Sequence, residues 1–118
     1  MTYFSGSYVL NTDRIRDSSS TDNGVMKILV RLNEDSPVWE YARVNILNEY
    51  GTPLASHAMT PNGVLDTLRP GAYIIQAGSQ DPHNRKMIDP ITQFEFDIEV
   101  EAGMSASIVV FLPSGGIR

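Results

Sequence analysis

Residues 42–78, ARVNILNEYGTPLASHAMTPNGVLDTLRPGAYIIQAG, decide the fold class of this chain. The stretch opens with a period of two, in which Ala42, Val44 and Ile46 share one face of a predicted strand. Glycine, proline and asparagine, which favour turn conformations, then interrupt each apolar run. The stretch therefore predicts a series of short strands separated by turns at residues 49–53, 61–63 and 69–71.

Further strands are predicted on both sides of this stretch. Residues 25–32 alternate between two faces, and residues 105–112 are apolar on both faces in their second half, which is typical of a central strand. Residues 91–101 alternate most regularly, with an apolar face at Phe94, Phe96, Ile98 and Val100 and a carboxylate face at Glu95, Asp97, Glu99 and Glu101. Such a carboxylate row keeps a strand soluble and resists edge pairing. A bound cation or a basic partner surface is the alternative explanation.

The order of motifs in residues 44–73 resembles the carboxypeptidase regulatory-like domain of the transthyretin-like (prealbumin-like) superfamily. The resemblance rests on Val44-x-Ile46, Gly51-x-Pro53-Leu54, Asn62-Gly63 and Leu68-x-Pro70-Gly71-x-Tyr73. It implies a seven-stranded β-sandwich in which the L-x-P-G-x-Y motif opens a long strand. An unrelated Greek-key sandwich is the alternative.

The predicted fold is all-β: a single antiparallel Greek-key β-sandwich of about seven strands, prealbumin-like or immunoglobulin-like, with an extended N-terminal arm. A chain of 118 residues is long enough for one domain with one core. We predict an N-terminal arm and linker over residues 1–24, the sandwich over residues 25–113, and a C-terminal tail over residues 114–118.

The N-terminal arm combines an aromatic tip with a polar linker. Residues 11–24 have a composition that buries too little apolar surface to offset the entropy of ordering. The tip carries aromatic and aliphatic side chains, which supply large contact areas. These side chains predict either a first strand of the sandwich or an arm that docks on a neighbouring subunit, and they are Tyr3, Phe4, Tyr8, Val9 and Leu10.

Residues 79–90, SQDPHNRKMIDP, have no periodicity and contain two prolines and two aspartates, which predicts a long loop. Loops carry binding residues more often than strands do. The exposed contact group predicted for this loop is Asp81, His83, Arg85 and Lys86. A plain solvated loop is the alternative.

The composition argues against several function classes. The net charge of −5 and the scattered basic residues disfavour a nucleic-acid partner, since phosphate binding needs clustered Lys and Arg. The chain has no cysteine, which excludes disulfides and thiolate metal sites. Residues 1–24 lack a secretory signal, and no apolar run reaches the ~18 residues of a membrane helix. We therefore expect a protein of the virion or of the cytoplasm at synthesis, with no membrane partner.

The sequence contains no recognisable catalytic or cofactor motif. The two histidines, His57 and His83, lack the spacing of metal ligands, and no serine lies in a G-x-S-x-G elbow. Hydroxyisourate hydrolases, an enzyme branch of the resembled superfamily, carry a C-terminal Tyr-Arg-Gly-Ser motif, whereas this chain ends Ser-Gly-Gly-Ile-Arg. Intradiol dioxygenases share a related sandwich but bind iron through two Tyr and two His on a far longer chain. We predict no enzyme activity, no cofactor and no metal.

We expect a non-catalytic structural protein that assembles with other protein subunits through its N-terminal arm and a sheet edge. The resembled domains are usually appended to enzymes or receptors, whereas we expect this one to stand alone with an aromatic arm. The favoured setting is a bacteriophage virion, where it would be a capsid decoration (cement) protein or a tail or baseplate subunit. One alternative is a carbohydrate- or peptide-binding module, with exposed aromatic candidates at Trp39, Tyr41 and Tyr50. A transthyretin-like hydrolase is the last alternative.

Overall fold

The computed structural model describes residues 6–14 and 22–113, and these residues form nine β-strands and no helix. The strands are β1 (Ser7–Arg14), β2 (Gly24–Arg31), β3 (Ala42–Asn48), β4 (Pro53–Ala58), β5 (Val64–Leu68), β6 (Gly71–Asp81), β7 (Asn84–Ile88), β8 (Phe94–Val100) and β9 (Met104–Phe111). The all-β prediction is confirmed. The predicted count of about seven strands is too low. Strand β7 falls in the predicted loop, and β1 joins the tip that was predicted as either arm or first strand to the start of the predicted polar linker.

The strands are divided between two sheets. The four-stranded sheet has the order β1-β9-β2-β5. In the five-stranded sheet, β4 pairs with β3 and β3 pairs with β6. The other side of the long strand β6 pairs with two strands: β8 runs along residues 71–77, and β7 pairs near the end of β6. Within the described residues, the sheet edges are therefore β1 and β5 in one sheet and β4, β7 and β8 in the other.

Both sheets contribute to one hydrophobic core, which gives the molecule a sandwich-like arrangement. Strands from both sheets turn alternate side chains toward it, as the period of two predicts. The face predicted for β3 is buried as expected, and in β8 three of the four predicted apolar residues are buried. The core includes Met26, Ile28, Val30, Val44, Ile46, Tyr73, Ile75, Phe96, Ile98, Val100, Ile108 and Val110.

Strand β9 lies between β1 and β2, which confirms the central position predicted from its two apolar faces. Its pairing with β2 is parallel, running from Val25 opposite Ser105 to Arg31 opposite Phe111. The prediction of an entirely antiparallel fold is wrong at this pair. Parallel strands need a long crossover, and here most of the domain separates β2 from β9 in the chain. Local patterning carries no information on the relative direction of strands so far apart.

The segment predicted as a long loop at residues 79–90 is instead the end of β6, a turn and strand β7. Pro82 and His83 form the turn. Ile88 is buried and packs against Gly78, where an added Cβ would lie 2.4 Å from the Ile88 Cγ2 atom. The strand escaped prediction because four of its five residues are exposed and have no alternation.

Side chains from the two sheets meet at both lateral edges. On one side, His57 of β4 and Asp66 of β5 form a hydrogen bond of 3.1 Å between Nε2 and Oδ2. These side chains are 36% and 24% exposed, so the pair contributes at most about 1 kcal/mol. On the other side, the ring of Tyr8 in β1 stacks on Phe96 of β8 with centroids 4.1 Å apart.

Candidate interaction surface

Strand β1 is attached to the molecule by an unbroken ladder. It pairs antiparallel with β9 over eight consecutive positions, from Ser7 opposite Phe111 to Arg14 opposite Met104. All eight residues of β1 are nevertheless exposed. Every other strand of the described chain has at least one buried or half-buried residue. The ladder therefore holds β1 in place with little help from core packing.

The register explains which face of β1 each side chain occupies. Tyr8 and Leu10 lie opposite the buried residues Val110 and Ile108, so they are on the core side of the sheet. Both remain 40% exposed, because β1 lies beyond the strands that enclose the core. One face of the Tyr8 ring is covered by the ring of Phe96 in β8. An apolar strip on the core side of β1 thus stays accessible at the edge of the molecule.

On the outer face of the same sheet, a row of apolar residues crosses β1, β9 and β2. Val9 lies opposite Val109 of β9, and Val109 lies opposite Leu29 of β2. Val9 keeps 49% of its surface exposed, whereas Val109 and Leu29 are half-buried. Residues 7–12 of β1 carry no charge. Over residues 7–12 both faces of β1 are therefore uncharged, the core-side face is mainly apolar, and Val9 is the apolar residue of the outer face. This edge is the candidate interaction surface.

The other described edges carry features that discourage strand pairing. Strand β4 contains Pro53 beside an irregular register with β3. Strands β5 and β7 have only five residues each, and β7 carries Arg85 and Lys86. Strand β8 presents a row of carboxylates. Proline, register irregularities, charges and short length all protect edges, whereas β1 has eight residues, no proline, no lysine and no bulge.

The structure separates the predicted contact residues into two groups. Tyr8, Val9 and Leu10 lie together on β1, in the segment predicted as arm or first strand. Tyr3 and Phe4 lie outside the described residues. The second predicted group sits on the five-stranded sheet, where Asp81 ends β6, His83 occupies the turn, and Arg85 and Lys86 belong to β7. Within that hairpin the Asp81 carboxylate accepts a hydrogen bond from the backbone amide of His83 at 2.8 Å.

A shallow groove of about 480 Å³ crosses the five-stranded sheet between β4 and β7. Leu54 and Met87 form apolar walls, and each is more than half exposed. The floor includes the side chains of Asn45 and Gln76. Of the predicted contact residues, Lys86 lines this groove. Trp39, Tyr41 and Tyr50, the predicted sugar-binding aromatics, are not among its lining residues.

The floor of the groove belongs to a row of polar side chains that sequence reasoning did not connect. The Ser56 hydroxyl donates to Asn45 Oδ1 at 2.7 Å, and Gln76 Nε2 donates to Glu95 Oε1 at 2.9 Å. Asn45 lies directly opposite both Ser56 and Gln76 in the ladders. The alternation of residues 42–46 identified Asn45 as facing away from the core, but the strands that supply its partners became known only with the pairing.

The tryptophan contributes mainly to structure. Its Nε1 donates to Ser79 Oγ at 3.0 Å, and the ring packs edge-on against Tyr41 with centroids 5.1 Å apart. Trp39 is half-buried against the core. These contacts anchor Trp39 to the structure and leave it less available than the exposed aromatic candidate that the sequence proposed.

The two histidines lie on different elements, with His57 in β4 and His83 in the β6–β7 turn. Among residues 6–14 and 22–113, no three His, Asp or Glu side chains are grouped so that they could hold a metal ion. The same part of the chain has no helix long and apolar enough to cross a membrane.

Comparison of the chain with protein-family models, with curated proteins and with solved structures finds no match. The resemblance of residues 44–73 to transthyretin-like domains therefore stays a prediction from the motifs. Inference about function rests on the physical features of the β1 edge and of the groove.

Proposed function

We propose that this protein is a non-catalytic assembly module that attaches to neighbouring protein subunits through the β1 edge. The observation that carries the proposal is the contrast between β1 and the other edges. Strand β1 exposes all eight of its residues, has no proline or bulge, and carries charge only at its end, in Asp13 and Arg14, whereas β4, β5, β7 and β8 each carry a feature that discourages pairing along the strand. An extended strand from a partner can add to such an edge through main-chain hydrogen bonds.

The proposal includes a prealbumin-like Greek-key sandwich as the framework. One contact supports it beyond the motif resemblance. The hydroxyl of Tyr73, the last residue of the L-x-P-G-x-Y motif, donates to the backbone oxygen of Arg69 at 2.6 Å. A tyrosine that bonds the backbone a few residues upstream at a sheet corner is a feature of immunoglobulin-type sandwiches.

We extend the proposal to a virion, with the protein as a capsid decoration protein or a tail or baseplate subunit. This step rests on analogy at the level of fold. Many copies of a subunit on one particle would make a weak edge contact effective through multivalency.

A peptide-binding function is the second candidate, and the groove on the five-stranded sheet favours it. Leu54 and Met87 could hold apolar side chains of an extended peptide, while the amides of Asn45 and Gln76 have hydrogen-bonding capacity for its backbone. A carbohydrate is less well supported, because the aromatic rings that stack on sugars are not among the lining residues.

Photo-cross-linking in cells that produce the full chain tests the proposal. A photoreactive phenylalanine analogue replaces Val9, and in separate variants Leu65 or Met87. Leu65 is the matched control, since it lies on the opposite edge of the same sheet and is more exposed than Val9, at 67% against 49%. We expect a discrete protein adduct from position 9 and a weaker one from position 65.

The three positions separate the candidate functions. An adduct at position 87 together with none at position 9 would support the peptide groove and contradict the assembly function. Equal labelling at positions 9 and 65 would also contradict it, because the contact would then follow exposure and not the β1 edge.

A further inference from the structure

We infer that the partner of the β1 edge is β1 of a second copy of this chain, paired antiparallel about a two-fold axis. The two four-stranded sheets then become one continuous eight-stranded sheet. This inference rests on the proposed function, because it names the partner of the same edge. It adds the identity of the partner, the orientation of the strands and their register.

A second copy of β1 satisfies every requirement that the edge sets. The free side of β1 leaves alternate amide and carbonyl groups without strand partners among the described residues. A partner strand must match its length, lack proline, and bring no charge opposite the apolar side chains of Tyr8, Val9 and Leu10. Of the sheet edges formed by residues 6–14 and 22–113, β1 alone meets these conditions. A two-fold contact uses the same surface on both copies, so each edge covers the other.

Symmetry limits the register. A two-fold axis perpendicular to the sheet keeps core-side residues of both copies on the same face, so each residue must lie opposite one that shares its face. Centring the pairing on Asn11 or Thr12 would put Arg14 opposite Tyr8 or Leu10, so the centre lies at Leu10 or nearer the N-terminus. The register centred on Leu10 pairs the whole described segment from Gly6 to Arg14, with Asp13 opposite Ser7 of the second copy. We therefore assign Leu10 as the residue that faces itself across the axis.

This register covers the apolar surface that β1 leaves accessible. Leu10 lies against its counterpart, and Tyr8 lies opposite Thr12 of the second copy on the same face. On the outer face, Val9 lies opposite Asn11. These are cross-strand pairs of the type that stabilises sheets, and none of them joins like charges. The side chains that gain cover are Tyr8, Val9 and Leu10, which are 40%, 49% and 40% exposed in the single chain.

Disulfide trapping tests the register directly, because the chain contains no cysteine. In the inferred dimer, the Cα atoms of the two Leu10 residues are about 4.5–5.5 Å apart, which a disulfide can span. We expect purified Leu10→Cys to form a covalent dimer under mild oxidation by glutathione disulfide. Leu65→Cys, at the opposite edge of the same sheet, should stay largely monomeric under the same conditions.

Sedimentation equilibrium of the purified full chain tests the edge contact without a new covalent bond. The unsubstituted chain should show a monomer–dimer equilibrium. Val9→Lys places two like charges at the paired edge and should raise the dimer dissociation constant by about tenfold or more. Leu65→Lys should leave it unchanged. If circular dichroism shows that Val9→Lys is unfolded, Asn11→Lys serves in its place.

Each outcome decides the inference. Selective trapping of Leu10→Cys with loss of the dimer in Val9→Lys supports it. A chain that is monomeric at all concentrations, a dimer insensitive to Val9→Lys, or equal trapping at positions 10 and 65 overturns it. The proposed function is judged separately by the mass of the photo-adduct at position 9. An adduct with a different protein would keep the assembly function while excluding self-pairing, whereas no adduct would remove both.

Discussion

Gly78 shows how one residue allows two strands to pack closely. It is buried in β6 and lies directly under Ile88 of β7, where an added Cβ would be 2.4 Å from Cγ2 and 3.2 Å from the backbone of Gln93. Since Cγ2 sits on a β-branched carbon, it has little freedom to move away. We expect Gly78→Ala to lower the free energy of unfolding by about 1–3 kcal/mol in urea denaturation.

A double-mutant cycle separates this contact from a general effect of alanine. Ile88→Ala removes the atom that the new methyl group would meet, so Gly78→Ala should cost at least about 1 kcal/mol less in that background. If the cost of Gly78→Ala is the same in both backgrounds, the close approach to Ile88 is not its cause.

At the scale of single residues, the sequence predicted which side chains face the core but not which residues meet. The alternation of Val44 and Ile46 with polar neighbours correctly placed both in the core. The contact of Gly78 with Ile88 could not be foreseen, because it depends on the register shift between β6 and β7. The hydrogen bond between His57 and Asp66 likewise joins two edges whose proximity follows from the stacking of the sheets.

At the scale of the element, β1 is held by its ladder to β9 and by the aromatic contacts of Tyr8. The Tyr8 ring lies nearly parallel to that of Phe96, at an interplanar angle of 14°, and Phe94 lies close by. An aromatic pair adds about 0.5–1.5 kcal/mol beyond the area that it buries. Tyr8→Ala should therefore speed amide exchange in β1 by up to about tenfold, measured by hydrogen exchange and mass spectrometry.

Tyr50→Ala is the control for the effect of Tyr8→Ala, because Tyr50 lies in a turn and is 85% exposed. It should leave exchange in β1 unchanged. Exchange in β2 should be unaffected in both variants, since opening of β1 is local. If Tyr8→Ala raises the amide exchange rates of β1 and β2 equally, the stacked rings stabilise the whole fold and not β1 in particular.

Strand β1, which the sequence left open between arm and first strand, and strand β7, which it missed, share one physical property. Twelve of the thirteen residues of β1 and β7 are exposed, so these strands are defined by backbone pairing, whereas sequence patterns report burial. The predicted linker at residues 11–24 accordingly includes Asn11–Arg14, which belong to β1 through the ladder with β9. Strands with a buried face, such as β3 and β8, were predicted within a few residues of their observed bounds.

At the scale of the whole molecule, the sheet edges differ in how their side chains oppose strand pairing. The sequence predicted that the carboxylate face of residues 91–101 resists edge pairing, and β8 does lie at an edge of the described structure, with Glu95, Asp97 and Glu99 exposed. Its role in preventing association stays a prediction. The sequence could not identify β1 as the contrasting, unprotected edge, because that status depends on which strands the fold leaves outermost.

Removing the carboxylates should convert β8 into a second edge that can pair with another molecule. We expect the triple variant Glu95→Thr, Asp97→Thr and Glu99→Thr to associate with increasing concentration, because threonine favours strands and the mutual repulsion of the edges is gone. Light scattering measures the association, in a Val9→Lys background that suppresses pairing through β1. The control removes three exposed carboxylates from turns by Glu34→Gln, Asp35→Asn and Glu49→Gln, which changes the net charge equally. If both triple variants associate alike, the lowered net charge is the cause and β8 has no special role. If only the β8 variant associates, charges placed along a sheet edge keep these sheets apart.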